Sequence, residues 1–146
     1  MSMTETLGRV AQKALAIRIE QRTVLVTVEA VRGKFACDAE SVWGMVDNGE
    51  LRWTFDVSVD RSVRELRFWT RELIAPETTV NLELNAVLNS ILGERRTELR
   101  RGEIERQWIV SAQHVSRLIK CGQLELSRPG YVTRASAAAF LKGRLQ

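Results

Sequence analysis

Val110-Ser-Ala-Gln-His-Val-Ser-Arg-Leu-Ile-Lys-Cys-Gly-Gln-Leu124 is the stretch on which the fold turns. Ser111 offers a side-chain acceptor where a helix N-cap is wanted. Behind it Val115, Leu118 and Ile119 recur at i, i+3, i+4, the spacing of one apolar stripe on an α-helix. Gln113, His114, Ser116, Arg117 and Lys120 fall outside that stripe. Gly122 follows the last turn, at the place that takes a left-handed backbone. The spacing predicts a helix over 111–120, apolar along one edge, polar along the other and basic at its end.

Working outward, Gly102-Glu-Ile-Glu-Arg-Gln-Trp108 sets Ile104 and Trp108 four apart on one side of a preceding short helix, and Ile109-Val110 breaks the period. Downstream, Leu124-Glu-Leu126 alternates. Arg128-Pro129-Gly130-Tyr131 carries Pro and Gly at the two centres of a type II turn, so Tyr131-Val132 returns as a strand of a very small wing. Thr133 caps a last helix, Arg134–Lys142, anchored by Phe140 and Leu141. Two short helices on a tight connection, the second polar outside, are what a groove-reading unit requires.

This order resembles the excisionase and MerR-like winged helix-turn-helix family. The residues that carry the resemblance are Val110–Leu124 and Val132-Thr-Arg-Ala-Ser-Ala-Ala-Ala-Phe-Leu141, about the last third of the chain. Two departures stand out: the first helix lacks the usual small Ala at its crossing with the second, and the wing is short. The resemblance implies that helix 111–120 enters the major groove. Gln113 would then pair with adenine and Arg117 with guanine, as groove geometry favours. His114 would donate to a base or a phosphate, with Ser116 and Lys120 on the same polar side. Ser111 and the free N–H groups at the helix start would take a phosphate oxygen. Arg100, Arg101, Arg128 and Arg134 are the expected phosphate contacts, each adding to salt sensitivity.

The same pattern recurs 73 positions upstream. Thr27 is a cap before a first helix, Phe35 falls where Trp108 falls, and Asp38 takes the place of Ser111. Val42, Met45 and Val46 repeat the stripe, Gly49 matches Gly122, and Leu51 matches Leu124. Leu51–Ser58 alternates as a strand, and Asp60 precedes Arg61–Trp69, read as the closing helix. Outside its stripe this copy shows Asp38, Glu40, Ser41 and Asp47, with no Lys or Arg between Asp38 and Gly49. Carboxylates repel phosphates, so this copy is expected to pack against the other copy or a second subunit, or to bind protein. The sequence divides into an N-terminal helix or arm (1–22), a degenerate helix-turn-helix-like unit (23–75), a connecting helix (76–97) and a winged helix-turn-helix DNA-binding unit (98–146). The expected fold class is mainly α with short β-hairpins. Within 76–97, Val80, Leu84, Val87, Leu88 and Ile91 form a helical stripe, although Val80–Leu84 also alternates as a strand would. Asn81, Asn85 and Asn89 are read as the wet side of that helix.

Charge follows the same division. Residues 93–146 hold eleven Lys/Arg against five Asp/Glu, a net of +6, whereas residues 1–60 hold seven against nine, a net of −2. A basic third on a near-neutral body suits a polyanion. Several activities find no support: His114 is the only histidine, and no GxSxG, Walker loop or GxGxxG occurs. No enzyme activity, cofactor or metal is expected. Cys37 and Cys121 form no CxxC pair, no apolar run reaches the ~20 residues of a membrane span, and the first residues lack a secretory pattern. The expected protein is a cytoplasmic, sequence-specific binder of double-stranded DNA. It would be a transcriptional regulator or a phage or mobile-element accessory factor, acting as a homo-oligomer or multimer on DNA. The alternative is an adaptor that binds protein through the acidic first unit.

Overall fold

The computed structural model describes residues 23–146; the predicted N-terminal helix or arm lies outside them. Strand β1 (Leu25–Thr27) runs into helix α1 (Val28–Phe35), where Thr27 Oγ1 accepts the Ala30 N–H at 3.4 Å. Ala36 closes α1 in the left-handed region, with φ of 50°. Asp38 then caps α2 (Ala39–Asp47), its carboxylate accepting the Ser41 N–H at 2.9 Å. Strands β2 (Thr54–Asp56) and β3 (Leu66–Trp69) and helix α3 (Thr70–Ile74) complete the first unit. β3 lies between β1 and β2 and is antiparallel to both.

The second unit repeats this order as β4 (Glu98–Arg100), α5 (Arg101–Trp108), α6 (Ala112–Lys120), β5 (Leu126–Arg128), β6 (Tyr131–Thr133) and α7 (Arg134–Lys142). Its sheet has β6 in the middle, between β4 and β5. From β1 through α2, every element bound shifted by 73 gives the bound of its counterpart. The repeat extends to unusual backbone: Ala36 and Ile109 are both left-handed, and Gly49 and Gly122 both have φ of 77°. Such a φ suits Gly, which has no Cβ to clash. The bond from Leu51 N–H to the Met45 carbonyl recurs from Leu124 N–H to that of Leu118.

A 3₁₀ turn (Pro76–Thr78) and helix α4 (Leu84–Leu92, ended by Gly93) connect the units. Among the described residues the fold is a mixed α/β one, with seven α-helices and two small three-stranded antiparallel sheets. No helix there is long and apolar enough to cross a membrane.

Three expected elements are corrected. Arg61–Trp69 is not a helix: Asp60 Oδ1 accepts the Ser62 N–H at 3.0 Å, and Arg61 is left-handed, so the chain turns instead of coiling. Leu66–Trp69 then supplies the central strand that β1 and β2 both need, and this pairing overrides the local helical spacing. The strand over Leu51–Ser58 shortens to Thr54–Asp56, buried on both faces because the chain end covers it, with Gln146 N–H donating to the Thr54 carbonyl. The connecting helix begins only after Glu83, which leaves Val80 62% exposed and off the stripe.

One apolar core joins the units. Trp53, Phe55, Val57 and Trp69 of the first meet Ile104, Trp108, Val115, Leu118, Phe140 and Leu141 of the second, with Val87, Leu88 and Ile91 of α4. Trp108 stacks on Phe140 with centroids 5.9 Å apart. A smaller cluster, Val26, Val31, Val42, Leu66, Phe68 and Leu73, belongs to the first unit. Burial of four or five such side chains at ~1.5–3 kcal/mol each is comparable to a domain's whole net stability. Val115 and Leu118 place the inner edge of α6 in this shared core.

Candidate nucleic-acid interface

Helix α6 starts where Ser111 Oγ accepts the His114 N–H at 3.0 Å. Its stripe behaves as the periodicity requires: Val115 and Leu118 are fully buried and Ile119 is half-buried. Ala112, Gln113, Arg117 and Lys120 are exposed. Among the described residues, no side-chain partner engages Gln113, Arg117 or Lys120.

The turn before α6 is braced from the first unit. Arg67 on β3 donates to the carbonyls of Trp108 at 2.9 Å and Ile109 at 2.7 Å. Burial pushes the Arg67 guanidinium down from its ordinary value, and nearby Glu65 opposes this. His114 points the same way, with Nε2 2.6 Å from the Val57 carbonyl and Nδ1 3.9 Å from the Glu65 carboxylate. The Val57–Glu65 loop, which joins β2 to β3, therefore acts as an internal brace. In the second unit the corresponding connection is only Pro129-Gly130, with Gly130 at φ of 82°, as a type II turn needs.

Beside α6 lies an open hollow of about 750 Å³, lined by Arg100, Arg101, Gly102, Glu103, Arg106, Gly130 and Tyr131. Arg101 donates to Ser116 Oγ at 2.5 Å, which ties the hollow to α6. Glu103, the one carboxylate among its described lining residues, is paired with Arg96. Arg128 binds Glu98 at 2.7 Å and lies 3.7 Å over the Tyr131 ring, with Arg100 at 5.9 Å from the same ring. Hydrogen bonds from Arg128 and Ser127 hold the Glu98 carboxyl below its ordinary value.

The expected site residues thus divide. Gln113, Arg117 and Lys120 share one exposed side of α6, Ser111 caps its start with its hydroxyl on the His114 N–H, and Arg100 and Arg101 line the adjoining hollow. His114 and Ser116 are instead engaged internally, and Arg128 is shared with Glu98. Arg134 donates to the Gly93 carbonyl at 2.7 Å and to Asn89 Oδ1 at 2.6 Å, so it fastens α7 to the end of α4. This also corrects Asn89, which is half-buried, while Asn81 and Asn85 are exposed. Sequence reasoning missed Arg106 and Tyr131. Arg106 looked like a partner for Glu103 or Glu105, yet Glu103 is bound to Arg96 and Arg106 is exposed.

The matching face of the first unit has the opposite sign. Asp38, Glu40, Ser41 and Asp47 are all exposed on α2. The Ser41 N–H and hydroxyl hold the Asp38 carboxyl below its ordinary value. Trp43 is half-buried under the Arg64 guanidinium, 4.8 Å from its ring centroid. Among the described residues no group of three or more His, Cys, Asp or Glu is arranged to hold a metal ion.

No protein-family model matches the chain, and no curated protein and no solved structure matches it.

Proposed function

We propose that the protein binds double-stranded DNA, with the second unit acting as a winged helix-turn-helix and α6 as its groove-reading helix. The observation that carries this is the division of α6 into an anchored edge and a free one. Val115, Leu118 and His114 fasten one side, and Gln113, Arg117 and Lys120 stand exposed on the other. An Arg and a Gln on a fixed helix match the bidentate edges of guanine and adenine. The first unit is a degenerate copy, and its acidic α2 does not approach phosphates. It serves as the mount.

A helix of nine residues reaches few base pairs, so useful specificity needs two or more chains on one site. This fits a transcriptional regulator or a mobile-element accessory factor. The test is selection of bound duplexes from a random library. Enrichment of a short element, repeated at about 10–10.5 bp or a multiple for a dimer, supports the reading. Failure to retain any duplex at low salt overturns it.

A second reading rests on the acidic α2 face and on Phe35, 42% exposed at the end of α1: an adaptor that binds protein through the first unit. Nuclease-resistant capture of one partner by the chain, lost in Glu40→Lys and without affinity for duplex, supports the adaptor.

A further inference from the structure

The internal repeat supplies a control for the hollow beside α6. At the first unit's equivalents of Arg100, Arg101, Gly102 and Arg106 stand Thr27, Val28, Glu29 and Gly33. By strand register, Arg67 faces Thr27 as Tyr131 faces Arg100. The first copy satisfies itself: Thr27 caps its own helix, Glu29 pairs with Arg32 at 3.2 Å, and Arg67 turns away to Trp108 and Ile109. In the second copy the cap has become Arg100, which makes no side-chain cap bond, and Gly33 has become Arg106. Arg100 and Arg106 are both exposed and, among the described residues, neither has an acidic partner. Among the described residues the one carboxylate lining the hollow, Glu103, is paired with Arg96.

We propose that this hollow seats phosphodiester oxygens of a DNA strand running beside α6, which rests on the DNA-binding reading above. Guanidinium N–H groups of Arg100 and Arg106 meet the non-bridging oxygens, in the geometry that makes arginine effective on phosphate. Tyr131 contributes through its ring, which holds Arg100 at the rim by a cation–π contact. It does not stack on a base, because Arg128 lies 3.7 Å from its ring centroid. Gly102 lines the hollow, and a Cβ there would meet nothing within 4 Å, so Gly102→Ala adds a methyl group to its lining without a clash inside the chain. The Arg101–Ser116 bond makes the hollow and the reading helix one rigid surface, so a strand seated here sets the register of α6.

The test uses the full chain and a short mixed-sequence duplex, titrated by fluorescence anisotropy across salt. Each phosphate contact contributes about 0.9 to the slope of log affinity against log salt, so Arg100→Gln with Arg106→Gln is expected to reduce it by about two. Gly102→Ala is expected to weaken binding severalfold while the melting temperature holds or rises, since Ala is the better helix former. Wild-type binding with both variants unchanged overturns the hollow alone. A wild-type chain that ignores the duplex at low salt overturns the reading of α6 and the backbone as occupant. Inorganic triphosphate bound more tightly than duplex, and lost in the same variants, assigns the hollow to a free polyphosphate and overturns the backbone assignment.

Discussion

Nε2 of His114 lies 2.6 Å from the carbonyl oxygen of Val57, so a residue of α6 is committed to the other unit. A carbonyl can only accept, so Nε2 carries the proton. Val57 is fully buried, and its orphaned carbonyl would cost ~1–3 kcal/mol. His114→Ala is therefore expected to lower the melting temperature, with partial recovery in His114→Gln, and to leave the salt slope of duplex binding intact. Unchanged melting with a changed base preference would reverse this assignment.

Arg117 is the opposite case. It is exposed on α6 and has no partner among the described residues, so truncating it removes nothing from the folded chain. Arg117→Ala is expected to melt like wild type, lose about 1–3 kcal/mol of binding and relax preference at one base position. Repeating the duplex selection with the variant measures this directly, and an identical selected motif would exclude base contact by Arg117.

Trp108 and Phe35 occupy the same place in the repeat with different burdens. Trp108 is 2% exposed in the shared core and stacks on Phe140, whereas Phe35 is 42% exposed. Trp108→Ala is expected to cost about 3–5 kcal/mol. Phe35→Ala should lie within about 0.5–1 kcal/mol of wild type. Urea denaturation followed by circular dichroism distinguishes them, and equal losses would mean the two units do not share a core in solution.

Arg134 was expected to touch phosphate, but the structure gives it Gly93 and Asn89. Hydrogen bonds from a charged donor contribute ~1.5–3 kcal/mol. Arg134→Gln is expected to lower the melting temperature, and Asn89→Ala to reproduce much of that loss, with the salt slope of DNA binding unchanged. A slope reduced by about one at wild-type stability would return Arg134 to the interface.

What was legible from sequence was what is decided locally. Thr27, Asp38, Ser111 and Thr133 all cap helices through their own side chains, because a cap acts over three residues. The 73-residue period was readable for the same reason: stripe, glycine and following Leu keep fixed spacings. The reading failed where a distant partner decides. Leu66–Trp69 carries helix-like spacing but is claimed by β1, some forty residues earlier. Polar side chains show the same limit. Nothing around His114 or Arg134 names Val57 or Asn89, and nothing around Arg106 says that Arg96 has already taken Glu103.

Glu72 gives the fold a pH dependence of definite sign. Its carboxylate accepts the backbone N–H groups of Arg52 and Trp53, both at 3.0 Å, from a buried position on α3. Burial raises its pKa above the ordinary 4.5, and the two N–H donors only partly oppose this. Between 4.5 and that raised value the folded chain holds a proton that the unfolded chain has released. Stability contributed by this group therefore falls as pH rises through that window and is level above it. Asp38, Asp60 and Glu98 have lowered values, so their contributions are lost only as pH drops below the ordinary carboxylate range. The two effects occupy separate pH ranges and can be read apart. Glu72→Gln removes the upper window and, with one acceptor oxygen for two N–H groups, is expected to destabilise by about 1–3 kcal/mol at neutral pH. Denaturant melts of both chains from neutral pH down to about 4.5 should show the wild type gaining on the variant as pH falls. Parallel curves would mean that Glu72 keeps an ordinary carboxylate pKa in the folded protein.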